Sequence, residues 1–306
     1  MQIINAGWDG QGGVRAEMMN STRITVCLVA FFATALIATA QPLFTVKSWD
    51  DLSDRDLTPL GRAVLNEGRP DWVHAESEHF IFHAGTLAAV EEIAGESEFA
   101  YIKIGDTLST NGVARKGHVF VVGRREIWEK VLQGSNRQDD SVSMQLQNDL
   151  FVLKETNSVG NVLRIPHEMV HFRLWQLYGN RTPVWLDEGL AAYLGWKVAV
   201  AAHSLKGKQL VWAPPHLKRE NLLSVEQLTG ATVYPSGSEA GAAFYIEAEL
   251  FVSAIARKIG DDKLAEFVKA VAGDGISWDD FLRERFSFAD SDFVWLERQV
   301  ETYASK

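Results

Sequence analysis

Pro166-His167-Glu168-Met169-Val170-His171, followed by Pro183-Val184-Trp185-Leu186-Asp187-Glu188-Gly189-Leu190-Ala191-Ala192-Tyr193, decides how the chain is read. The first stretch is an HExxH segment. Histidines four apart in a helix lie on one face, close enough to share a metal ion. Glu168 follows His167 directly, so it points slightly around the helix and suits a general base better than a ligand. Two imidazoles leave a metal short of donors, and Glu188, in a second helical segment, is the natural third. Three protein ligands with a fourth position open describe a catalytic zinc ion rather than a structural one. The expectation is therefore one Zn2+ per chain, held by His167, His171 and Glu188, with Glu168 activating water. HExxH arises by chance in roughly one or two sequences per hundred at such a composition, so the second segment carries much of the weight.

Outward from this point the chain divides. Upstream, 79–83, 118–122 and 150–153 read as strands, and 87–108 and 124–132 as helices. Downstream, a helix starting at 183 or 185 and running to about 203 is expected, and 242–259, 261–271, 278–286 and 290–303 have helical periodicity. Pro166 is expected in the first turn of the metal-bearing helix (161–178) or at a kink there, because a proline deep in a helix costs about 3 kcal/mol. Residues 134–147, 206–224 and 229–241 are polar or rich in Gly and Pro and read as loops. The fold class is α+β: a small α/β layer, 73–157, then a helical zincin-type part, 158–306, with the metal helix at the junction. Residues 41–72 read as a loosely packed lead-in.

The 306 residues are 46% hydrophobic and 23% charged, with a formal net charge of −10. Such a chain can bury a core without disulfides. Without a basic stripe it is a poor partner for nucleic acid. Residues 24–40 carry no charge, follow Arg23 and end in Ala38-Thr39-Ala40, the pattern of a signal peptide cleaved after Ala40; Met18 or Met19 suits its start. That places the protein outside the cytoplasm, periplasmic or secreted, with no stable membrane embedding after cleavage. An uncleaved N-terminal anchor is the alternative. The single cysteine, Cys27, falls inside this run, so a cysteine nucleophile or thiolate metal site is excluded from the exported chain.

HExxH with a downstream Trp-Leu-Asp-Glu-Gly-Leu-Ala segment resembles the peptidase MA-like gluzincin metallopeptidases, whose Glu-Gly glutamate is the third zinc ligand. Sixteen residues separate His171 from Glu188, close to the spacing in gluzincin aminopeptidases. A softer likeness runs through the Ser-Glu-His-Phe segment at 77–80 and through 257–264. The resemblance implies hydrolysis of a peptide or protein substrate. The aminopeptidases' Gly-Ala-Met-Glu-Asn-type signature has no counterpart around 151–161, which favours an endopeptidase. The resemblance also offers Tyr245 as donor to the oxyanion, against the alternative that it is a core residue. A catalytically idle binding or scaffold protein and a zinc hydrolase of non-peptide amides remain as other readings. Asp187 reads as a cap or salt-bridge residue, Tyr193 and Trp185 as packing residues, and His203 as without a site role. His79 and His83 are expected on one strand face.

Overall fold

The computed structural model describes residues 42–110, 115–135, 142–154, 161–210, 219–233 and 238–304. The expected leader at 1–40 lies outside the described residues. Among them, no helix is long and apolar enough to cross a membrane.

Six strands, β1 (Thr45–Lys47), β2 (Val73–Glu76), β3 (Phe80–Ala84), β4 (Gly117–Val122), β5 (Ser143–Leu146) and β6 (Asp149–Leu153), form one mixed sheet in the order β1-β2-β3-β4-β6-β5. β3, β4 and β6 run parallel, while β1–β2, β2–β3 and β5–β6 pair antiparallel. The parallel strands need crossovers. These are α2 (Leu87–Thr107) and α3 (Arg125–Ser135), and α1 (Pro59–Glu67) precedes β2.

Alternate residues of each strand face opposite layers. Phe80, Phe82, Val119, Val121 and Leu150 join α2 and the helical half in the main core. Phe120, Val122, Phe151 and Leu153 pack with Val64 and Leu65 of α1 and with Trp128 and Val131 of α3. Residues 41–72 are thus no loose lead-in. They supply an edge strand and a helix whose apolar residues close the second face of the sheet. Thr58 caps α1, its hydroxyl accepting from the Gly61 N–H at 2.9 Å, and donates both its own N–H and its hydroxyl to the buried Asp149.

The helical half comprises α4 (Asn161–Tyr178), α5 (Val184–Leu205), the short α6 (Val225–Thr229), α7 (Ser238–Ile259), the short α8 (Leu264–Val268), α9 (Trp278–Phe286) and α10 (Asp290–Ala304). Several stretches depart from the sequence reading. β5 falls within the expected loop 134–147, where Met144 turns to the core and its neighbours stay polar. α7 begins at Ser238, within the expected loop 229–241. The expected helix 261–271 is a 3-10 turn, a short α-helix and a π turn in succession. Trp185 does anchor α5, buried between Phe251 and Trp278 with ring centroids at 5.5 and 6.2 Å.

Pro166 is not in the first turn of α4. It lies five residues beyond Asn161, with the helix continuing through it. Lacking an N–H, it leaves the Val162 carbonyl without its helical donor just before His167.

Candidate metal centre

Two glycines of α5 set how closely the helices around the centre approach. A Cβ on Gly195 would lie 3.0 Å from the backbone N and Cα of His167, so its absence lets α5 touch α4 at the first histidine. A Cβ on Gly189 would stand 2.5 Å from the carbonyl oxygen of Ala248 on α7. The neighbouring Glu188 is thereby carried on a helix pressed between α4 and α7.

The result is a compact triangle of donors. His167 Nε2 and His171 Nε2 are 3.2 Å apart, and Glu188 Oε2 is 3.5 Å from each. Two donors held 2.0–2.1 Å from one ion at a tetrahedral angle stand about 3.3–3.4 Å apart, so the triangle has the dimensions of one face of a zinc tetrahedron. His171 and Glu188 are buried and His167 is half-buried. Glu188 Oε2 is fully buried and makes no hydrogen bond among the described residues. A carboxylate oxygen left so is costly unless a cation satisfies it. His167, His171 and Glu188 could therefore hold a metal ion.

The electrostatics agree. Burial alone would push His171 down, but the charges of Asp187 and Glu188 beside it hold it well above its ordinary value. Burial alone would raise Glu188, but His171 and His167 pull it well below the carboxylate range. The centre thus keeps an anionic carboxylate in the interior and favours positive charge next to it.

Asp187 does pair, as expected, but with a histidine of the triangle: its Oδ1 lies 3.0 Å from His171 Nδ1. A carboxylate there fixes the tautomer that leaves Nε2 free for a metal. Replacing Asp187 with Asn or Ala is expected to weaken metal binding by about 10- to 100-fold, read by titration against a competing chelator.

Glu168 is buried beside the cluster, and its Oε1 accepts a hydrogen bond from the Ser143 hydroxyl at 2.8 Å. Ser143 was not singled out from the sequence, because β5 reads there as a loop; it is the edge strand running against α4 that supplies the contact. Val142, Ser143, Met144, Leu163, Arg164 and Tyr245, together with the four motif residues, line a cleft of about 330 Å³. Tyr245 is 37% exposed, which removes the core alternative and places its side chain at the cleft wall. One turn further along α7 is Glu249, raised to about 7 by burial against the opposing influence of His167.

Other singled-out residues fall elsewhere. The Tyr193 hydroxyl donates to Asp261 at 2.7 Å. His203 bonds through Nδ1 to the Ala199 carbonyl within its own helix. His79 precedes β3 and turns to Glu98 of α2 at 2.6 Å, whereas His83 stacks on Phe120 toward the opposite layer, so the two do not share a face. His216, a histidine without metal-like spacing in the sequence, lies outside the described residues.

A scan against protein-family models matches none of them, and a search of curated proteins finds no match.

Proposed function

We propose that the chain is a zinc-dependent metallopeptidase of gluzincin type, exported from the cytoplasm, which cuts within peptide chains. One observation carries the reading: a donor triangle of zinc dimensions lies beside a carboxylate, Glu168, that opens on the same cleft and is not itself a member of the triangle. The zincin-type arrangement has its support in a sheet whose edge strand runs against the metal-bearing helix.

His167, His171 and Glu188 would hold the ion. A zinc ion there would supply Lewis acidity, to polarise a substrate carbonyl and acidify a water molecule. Glu168 takes the proton from the attacking water and passes it to the departing amine. The Ser143 hydroxyl holds one oxygen of that carboxylate at the wall of the cleft that the cluster also lines. Asp187 keeps His171 in its ligating tautomer. Tyr245, from the cleft wall, is the side chain assigned to donate to the developing oxyanion.

A digest of a broad peptide library tests this. Internal cleavage is expected, abolished by a chelator and restored by zinc. A blank digest by zinc-loaded protein contradicts the peptidase reading and favours a binding module built on the same fold.

A further inference from the structure

On the sheet face away from the metal cluster, three histidines from adjacent strands form a continuous hydrogen-bonded row. His74 Nδ1 of β2 lies 3.0 Å from His83 Nδ1 of β3. His83 Nε2 lies 3.0 Å from His118 Nδ1 of β4. His118 Nε2 donates to the Arg55 carbonyl at 3.0 Å. All three rings are buried, at 2%, 0% and 0% exposure.

Counting hydrogens shows what the row can hold. A carbonyl only accepts, so His118 Nε2 carries a hydrogen. Each of the two nitrogen–nitrogen bridges holds one more. Three hydrogens on three rings make every ring neutral, which is what burial favours. The row ends on His74 Nε2, buried and without a hydrogen-bond partner among the described residues. A fourth hydrogen fits only there. A fifth sets two N–H groups against each other.

Both ends of the row lie under the segment joining β1 to α1. Trp49 packs edge-on against His74, ring centroids 4.5 Å apart. The Arg55 carbonyl caps His118. Thr58 donates to Asp149, the cross-strand neighbour of His118. We propose that residues 48–58 are an acid-releasable strap, held on the sheet at neutral pH by the neutral imidazole row and freed when the row must take up protons.

The charged surroundings leave this intact. Lys47, opposite His74 on β1, is paired with Glu76 at 3.0 Å. Arg69 lies over Trp49 at 4.9 Å. Asp54, Asp56 and Arg62 surround His118, and Arg62 is itself paired with Asp54. From α3 the inward residues are Ile127, Trp128, Val131 and Leu132.

Burial holds His74 at about 4 and lowers both His83 and His118. The closed form therefore binds fewer protons than an open one, whose imidazoles titrate near 6.5. Stability present above that value is lost as pH falls through it. Asp149 acts oppositely: burial raises it to about 7, so the closed form already holds a proton that the open form takes up only near 3.8. Three protons gained less one already held leave a net uptake of at most about two, so opening grows by up to about a hundredfold per pH unit as pH falls below about 6.5.

Hydrogen exchange of the full chain from pH 7.5 to 4.5, corrected for intrinsic rates, tests the strap. The amides of Leu52 and Leu57, bonded to the Trp49 and Asp54 carbonyls, are expected to lose protection with that slope while α5 and α7 keep theirs. His83→Gln should cut the slope to about tenfold per unit. If that variant fails to fold, imidazole nitrogen spectra of the wild type decide: each of the three rings should stay neutral to a lower pH than an exposed imidazole does. Exchange at 48–58 that merely follows the rest of the molecule, or any of the three rings titrating at an ordinary value, overturns the proposal.

Discussion

Replacing Glu168 with Gln should leave the metal in place and lower peptide hydrolysis by about 10²- to 10⁴-fold, the usual contribution of a positioned general base. Glutamine keeps the volume of the side chain and an oxygen able to accept from the Ser143 hydroxyl at 2.8 Å. It cannot take a proton from water at neutral pH. Packing is preserved, so turnover and metal content should separate cleanly, and melting temperature should barely move. Loss of metal along with activity would mean that Glu168 helps hold the ion. Retention of full activity would remove it from the chemistry.

The second large effect concerns the ligands. Structural zinc sites bind with about 10–16 kcal/mol, so one of three or four ligands carries roughly 3–4 kcal/mol, a factor of several hundred. His171→Ala and Glu188→Gln are each expected to weaken zinc by at least that much, read by competition with a chelator. Glu188→Gln is the more informative. Its oxygen lies 3.5 Å from both imidazoles, and the substitution removes the buried negative charge while changing almost no volume. If zinc affinity survived that exchange, the charge balance argued for the centre would be wrong.

The contrast between the two halves of the chain is instructive. The His167–His171 pair was readable because an i, i+4 relation is local: helix geometry alone brings the rings together. Glu188 was readable because it sits in a second helical segment within reach. The environment of Asp187 was not. Its rotation onto His171 depends on how deeply α5 presses between α4 and α7, which Gly189 and Gly195 govern through contacts far away in sequence. Ser143 was missed for a related reason. A four-residue edge strand with one buried apolar side chain looks like a polar loop until the sheet pairs with it.

The imidazole row marks the limit of sequence reading most sharply. His74, His83 and His118 lie on three strands, where no i, i+4 spacing marks their association. Their association depends on strand register: His74 stands directly opposite His83, while His118 on the third strand pairs with Ile81 and reaches His83 diagonally. Register also explains why 41–72 looked peripheral. The apolar residues of α1 are sparse, and only the finished sheet shows that they cover Phe120 and Phe151.

Metal analysis of the purified protein shows whether His167, His171 and Glu188 form a zinc centre. One equivalent of zinc per chain is the expected result, falling toward zero in Glu188→Gln and retained in Glu168→Gln. A wild-type chain that neither carries zinc as purified nor takes up one equivalent when it is supplied has no zinc centre at these residues.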